Sequence, residues 1–441
     1  MLLQPFQDTN GLLTAVPLPD LVLLRQRFPR PRIANVSAAV TAALESVHAK
    51  IWPGARIAIG VGSRGVADII PVVATLVATL RRYEAEPFIV PAMGSHGGAT
   101  PEGQLAILAS LGITEQAIGV PIVSSLDVDV LGRLPNSMPV YIDRAAHAAD
   151  GIIVVNRVKP HTDFDAAIES GLSKMIAIGL GKHAGALEVH SWGVEGLATH
   201  IPEVAKFVIA HASLLCGLAI VENGYDEVAE IKAVSAEGIA NEPERALLRQ
   251  AKEMMPRLPW DALDVLVVDE MGKNISGAGM DPNIIGRMRA VDQQKPTAAR
   301  ITNITVHDLT GASHGNASGV GYADFTTSHM VEKLDLQSLY INSLTAGVIA
   351  MNSCKIPMVL PDDRSALQAA IRSCGRADPT QVRLARIENT LRLEYILAST
   401  QSLDHLRSGA DVEVIGPAIP FSLEPDGSLT PFAAILRTQV S

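Results

Sequence analysis

The stretch ARIAIGVGSRG, residues 55–65, constrains the fold of this chain more than any other. It reads as a buried strand entering a tight glycine turn, and VADIIPVVATLVATLRRY follows as a helix with an apolar face. The pattern recurs. EPFIVPAMGSHGG is a second strand ending in a second glycine loop. TPEGQLAILASLG is a short helix, with Thr100 suited to cap its first turn and Pro101 to open it. GIIVVNRVKPH is a third strand ending in a polar loop. Buried strands that alternate with helices form a parallel sheet, so the fold class is α/β. Ligands of open α/β sheets bind outside the carboxyl ends of the strands. The three loops carry Arg64, His96 and His161, which are therefore expected to face one crevice.

A chain of 441 residues is long enough for two or three cores. The segment NEPERALLRQAKEMMPRLPW is charged and punctuated by proline, and the boundary is placed just after it. Residues 1–260 are expected to form an N-terminal cofactor-binding and catalytic domain with a Rossmann-like parallel sheet. Residues 261–441 are expected to form a C-terminal α/β domain, with strand patterns in DALDVLVVDEM, ARITNITVHDLT and NSCKIPMVLP and a helix in PDDRSALQAAIRSCG.

Composition removes several classes of function. Hydrophobic residues make up 48% and charged residues 19%, which excludes a disordered chain. A net charge of −10 argues against general nucleic-acid binding. The three cysteines, Cys216, Cys354 and Cys374, form no CxxC pair, so zinc sites and disulfide frameworks are not expected and a reducing cytoplasm suits the chain. The start MLLQPFQDTN lacks the pattern of a signal peptide. The apolar run ADIIPVVATLVATL has 14 residues and contains Pro71, which fits a buried helix rather than a membrane span.

Each motif admits two readings. Gly60 to Gly65, GVGSRG, is a literal GxGxxG after a strand, as in a dinucleotide site, or simply a glycine turn. Glu84 and Glu86 precede the next strand, whereas the dinucleotide pattern wants an acid at its end. Arg64 inside the turn is a fixed cation suited to a carboxylate or phosphate. His96 in GSHGG is a functional group or a hydrogen-bonded loop histidine. Lys174 in ESGLSKM is a nucleophilic amine whose pKa burial depresses, or a snorkelling lysine. His161 and His190 are site residues or core histidines bonded to backbone. His307 to Thr327, HDLTGASHGNASGVGYADFTT, looks a poor core and reads as a ligand-facing loop around His314 or as a long exposed loop.

Taken in order, these positions resemble the nickel-dependent lactate racemase family. The matching features are Arg64 in the first loop, GSH with His96, PH with Pro160 and His161, SGLSK with Lys174, and His190 sixteen residues beyond that lysine. MDPNIIGRMRA resembles the family segment that ends in a substrate-binding lysine, with Arg289 at that position. The resemblance implies a nickel-pincer nucleotide, the pyridinium-3-thioamide-5-thiocarboxylate mononucleotide, tethered covalently to Lys174, with His190 as the protein's nickel ligand. It implies His96 and His161 as paired acid/base groups, Arg64 and Arg289 as carboxylate holders, and an active site in the cleft between the domains. The first loop departs from the family's acidic residue and Thr-Arg-Pro, and no tryptophan follows Trp260. Both point to a 2-hydroxy acid larger or more polar than lactate.

The implied activity is racemisation or epimerisation of a 2-hydroxy carboxylic acid. The α-hydrogen leaves as a hydride while a base takes the hydroxyl proton, and histidine, with a pKa of about 6.5, suits both directions. The expected partners are the small acid and the cofactor-building proteins, without nucleic acid or membrane. Two alternatives stand beside this reading. One is a nicotinamide-dependent oxidoreductase using GVGSRG; the other is a non-catalytic nickel- or nucleotide-binding protein. His183 has no assigned role.

Overall fold

The computed structural model describes residues 4–14, 16–287, 298–346 and 351–440. The chain divides into two compact units, one of Pro29–Met255 and one of Met1–Phe28 with Pro256–Ser441. The first strand, β1 (Leu21–Gln26), belongs to the second of these.

The Pro29–Met255 unit holds β2 (Arg56–Val61), β3 (Glu86–Pro91), β4 (Val128–Arg133), β5 (Pro139–Asp143), β6 (Gly151–Arg157), β7 (Leu214–Glu222) and β8 (Val228–Ser235). Five of them form a sheet in the order β3-β2-β6-β7-β8, while β4 and β5 make a separate antiparallel ribbon. Strands β3, β2, β6 and β7 run parallel, and β8 returns antiparallel along the edge. Ile57 to Val61 are buried without a break. That is the pattern of a strand covered on both faces. The helix Ile69–Arg82 covers one face with Val72, Val73, Leu76, Val77 and Leu80, an apolar stripe at helical spacing. Pro71 sits in its first turn, where the missing N–H costs no helical bond. The helix Pro101–Ser110 starts as the sequence predicts, with the Thr100 hydroxyl accepting the Gly103 N–H at 3.1 Å.

The other unit carries an eight-stranded sheet. Its strands are β1, β9 (Ala262–Met271), β10 (Arg300–Leu309), β11 (Phe325–Thr327), β12 (Met358–Leu360), β13 (Leu384–Ile387), β14 (Tyr395–Ser399) and β15 (Val412–Ile419). Their order is β12-β11-β10-β9-β13-β14-β1-β15. The five strands from β12 to β13 are parallel, and β14, β1 and β15 are antiparallel neighbours. Both units are thus α/β, as expected. The division at Met255/Pro256 lies close to the boundary placed near residue 260, but the first 28 residues join the C-terminal unit. The reason is LVLLRQ, whose Leu21 to Leu24 are buried between β14 and β15. Pairing across more than 370 residues of chain (Leu21 with Ser399) is invisible to local pattern.

The segment His307–Thr327 is not the poor core its composition suggested. Ala317, Ser318, Val320, Tyr322, Thr326 and Thr327 are buried. Its small residues let the backbone approach closely, so that the Gly319 and Gly321 N–H groups both donate to the Ser353 carbonyl at 2.9 Å. His314 is exposed and left-handed, with φ 47°. Arg289 lies outside the described residues. Among the described residues no helix is long and apolar enough to cross a membrane.

Because β1 is an interior strand, Leu24→Ala should behave as a core truncation and cost about 2–5 kcal/mol in denaturant unfolding. A cost within about 0.5 kcal/mol, the range of surface changes, would show β1 to be a dispensable arm.

Candidate functional site

Adjacency of β3, β2 and β6 sets the site. Val61 ends β2 in register with Pro91 of β3 and Val155 of β6. Three loops therefore leave the same edge of the sheet side by side. The first carries Ser63 and Arg64, the second His96, and the third His161 and Asp163. The Ser63 hydroxyl bonds His96 Nδ1, joining the first loop to the second. The second loop turns back at Gly94, where φ is +59° and a Cβ would sit 2.8 Å from Ile178 Cγ2. Only glycine fits there without displacing the helical segment beneath.

A buried cation holds the second loop from below. Lys182 is fully buried, and its Nζ donates to the Pro91 carbonyl at 2.7 Å and to Gln104 Oε1 at 3.2 Å. Asp143 Oδ2 lies 3.3 Å from the same nitrogen. Burial pushes the Asp143 carboxyl up and the Lys182 amine down, each opposed by the charge of the other. Gln104 in turn donates to the Gly94 carbonyl at 3.0 Å and the His96 carbonyl at 3.4 Å. His183 bonds Ser95 through Nδ1 at 2.9 Å, and so reaches the same loop.

The third loop is tied by Glu169, whose side chain is buried. Glu169 accepts the His161 N–H at 2.5 Å and the Ala166 N–H at 3.2 Å, and pairs with Lys252 at 2.5 Å. His161 is buried and packs on Phe164, with ring centroids 4.6 Å apart. Its Nδ1 accepts the Asp163 N–H at 3.0 Å, and its Nε2 lies 2.5 Å from Lys174 Nζ. Lys174 as a whole is half-buried, and protein surrounds its amine. Burial lowers its pKa from 10.5 to about 8; Arg64 and Lys159 add to the lowering and Asp163 opposes it. Lys174 closes a short helical turn, Leu172–Lys174, and a π-helical segment, Met175–Leu180, follows directly. Such wide turns gather at functional sites because they re-aim the side chains beside them. The turn is anchored by the buried Glu244, which accepts from the Ser173 N–H at 2.9 Å and the Ser173 hydroxyl at 2.5 Å.

His190 ends the helix Lys182–Ser191. Its Nδ1 lies 2.6 Å from the Ala186 carbonyl. A carbonyl only accepts, so Nδ1 carries the proton and Nε2 offers a lone pair, the arrangement a metal-ligating histidine requires. The ring's edge faces solvent, but protein packed around it lowers its pKa, with burial the largest cause; Lys174 adds to the lowering, while the Ala186 carbonyl and Asp163 oppose it. Arg64 is likewise solvent-facing, with its pKa lowered by burial and then by Arg157, and raised by Asp163. Asp163 thus acts electrostatically on Arg64, Lys174 and His190 together. Among the described residues no group of three or more His, Cys, Asp or Glu is arranged to hold a metal ion.

Residues 55–196 match the family model described as the lactate racemase N-terminal domain. This segment is therefore similar to the N-terminal domain of that family. The matched residues hold every loop of the site just described. A search of curated proteins gave no match. Two solved structures are similar. A protein from Thermotoga maritima is 14% identical, with 82% of this chain and 98% of that chain covered and a TM-score of 0.49. The lactate racemase apoprotein from Thermoanaerobacterium thermosaccharolyticum is 15% identical, with 80% and 86% covered and a TM-score of 0.46.

Of the residues expected from sequence, the structure brings Arg64, His161, Lys174 and His190 into one electrostatic neighbourhood and joins His96 to it through Ser63. His314 lies in the other unit. Sequence reading missed Ser63, Asp163, Glu169 and Lys182, whose roles depend on contacts that no local motif announces.

The depressed pKa of Lys174 has a consequence for stability. Between about 8 and 10.5 the unfolded chain binds the proton that the folded chain has lost. Stability from this group therefore rises with pH across that window, and below it the full cost of a buried ammonium is present. Lys174→Met should stabilise the protein below the window, and the gain should shrink as pH rises through it. Denaturant curves at both ends check this, and a pH-independent loss of stability would contradict the buried amine.

Proposed function

We propose that this protein is a racemase or epimerase of a 2-hydroxy carboxylic acid that works with a nickel-pincer nucleotide. The observation that carries the reading is the pairing of an amine of lowered pKa with a metal-ready imidazole: Lys174 Nζ held against His161, and His190, whose Nδ1 bonds the Ala186 carbonyl and leaves the Nε2 lone pair available. A cofactor that acylates an amine and needs one further nitrogen donor for its metal fits this pair. Lys174 is the tether and His190 the nickel ligand. When bound, the group supplies the hydride acceptor that no side chain of the chain can provide.

The remaining residues bind, orient and move protons. Arg64 presents a planar fork to the substrate carboxylate, and Arg289 is its proposed helper. His96 and His161 exchange the hydroxyl proton, one for each hand of the substrate. Asp163 offsets the positive charge that Arg64 and Lys174 gather. The partners are the small hydroxy acid and the proteins that build and load the cofactor. The nicotinamide alternative is disfavoured by Glu222, whose Oε1 accepts the Ala67 N–H at 2.7 Å near the start of the helix Ile69–Arg82. A dinucleotide's pyrophosphate needs that end of the helix for itself, and Glu222, ion-paired with Arg157, already occupies it.

Protein produced beside the cofactor-building enzymes should gain mass on the peptide holding Lys174 and carry nickel. Lys174→Ala should abolish the adduct, and His190→Ala should mainly lose the metal. Active, nickel-loaded protein with an unmodified Lys174 would sink the tether. In the loaded enzyme Arg64→Lys should fail to restore the activity lost in Arg64→Ala, since an ammonium cannot make two parallel bonds to a carboxylate. Unchanged kinetics in Arg64→Ala would remove this residue from the site.

A further inference from the structure

The hydrogen bonds around His161 are directional, and together they fix more than a position. The Asp163 backbone N–H is an obligate donor, and it lies 3.0 Å from His161 Nδ1. That nitrogen must present its lone pair, so the neutral ring carries its one hydrogen on Nε2. Nε2 in turn lies 2.5 Å from Lys174 Nζ. An ammonium has hydrogens and no lone pair, so it cannot accept that hydrogen. This pattern is that of the neutral amine, which prevails above a pH of about 8, accepting from Nε2–H. In the unloaded protein, then, His161 is a fixed hydrogen-bond donor. It cannot take a proton at Nε2, and becoming cationic would set an Nδ1–H against the Asp163 N–H. His96 is not restricted in this way, because its Nδ1 partner is the Ser63 hydroxyl, which can donate or accept.

We infer that acylation of Lys174 inverts the hydrogen bond at His161 Nε2, turning His161 from a fixed donor into an acceptor able to take the substrate's proton. The inference rests on the reading of Lys174 as a tether. Acylation by an activated carboxyl or thiocarboxyl group forms one C–N bond at Nζ. It breaks the bond to the leaving group, which departs with the electron pair, and it releases one amine proton. The nitrogen's lone pair is then delocalised into the new C=O or C=S, and only an N–H remains to face Nε2. Two N–H groups cannot face each other at hydrogen-bonding distance. The ring resolves the conflict by moving its hydrogen to Nδ1, and the Asp163 amide must release it. Loading would thereby arm the catalytic histidine, and an unloaded chain would hold that histidine inert. Asp163 is a positioning residue in this account, acting through its backbone.

The test reads tautomers rather than turnover. Full-length protein with nitrogen-15 in its histidines is examined by long-range proton–nitrogen NMR, with the His161 signals assigned by their loss in His161→Gln. Above a pH of about 8, where the Lys174 amine is neutral, unloaded wild-type protein should show His161 with its hydrogen on Nε2. Protein with genetically encoded Nε-acetyllysine at position 174 should show it on Nδ1. Lys174→Met, which removes the acceptor without supplying a donor, should keep Nε2–H. His190 should remain Nδ1–H in all three, which reports that the site is folded. Overturning results are an Nδ1–H His161 in unloaded wild type at that pH, or an Nε2–H His161 in the acetyllysine protein whose His190 is unchanged. Absence of a Lys174 adduct in protein made beside the cofactor-building enzymes would remove the tether while leaving these tautomer results intact, so the two failures are distinguishable.

Discussion

Everything at the site depends on the parallel pairing of β2 with β3 on one side and β6 on the other. Parallel neighbours end at the same edge, so three loops distant in sequence emerge together. That arrangement requires strands buried on both faces, which is why the unit carries so many uninterrupted apolar runs. It also leaves the chemistry to loops, whose side chains must be fixed by other means.

The fixing is done by buried ionisable groups, and their cost is met locally. Lys182, Glu169, Glu244 and Asp143 are all nearly or fully buried. Each would be expensive alone, since removing a charge from water costs several kcal/mol even after relaxation. Each is surrounded by backbone donors or acceptors or by an opposite charge. Lys182 spans the end of β3, the helix Pro101–Ser110 and the end of β5. Glu169 locks the His161 loop, and Glu244 locks the turn that carries Lys174. Lys174 differs from these four. Its pKa is depressed to about 8, which raises the share of neutral, nucleophilic amine well above that of an exposed lysine.

Much of this was legible in the sequence. The apolar runs ending in GVGSRG, GSHGG and VKPH foretold the parallel sheet and placed Arg64, His96 and His161 at one edge. The spacing of Lys174 and His190, with the resemblance built on it, pointed to the lactate racemase family. What remained hidden was whatever depends on distant pairing. β1 belongs to the C-terminal sheet because Leu21 meets Ser399, and no window of sequence contains both. The stretch around His314 looked open because small polar residues usually line loops, yet here they permit close backbone packing against Ser353. Lys182 carries no local motif, and its burial follows from three other elements meeting over it.

The central claim is that this site completes a nickel centre with a single protein nitrogen, His190 Nε2, and takes the other donors from a cofactor held by Lys174. Nickel X-ray absorption on protein produced beside the cofactor-building enzymes tests it most directly. The account predicts a nickel environment with sulfur donors and one imidazole, the imidazole lost in His190→Ala. Nickel bound only by nitrogen and oxygen, or an imidazole contribution unchanged in His190→Ala, would contradict it.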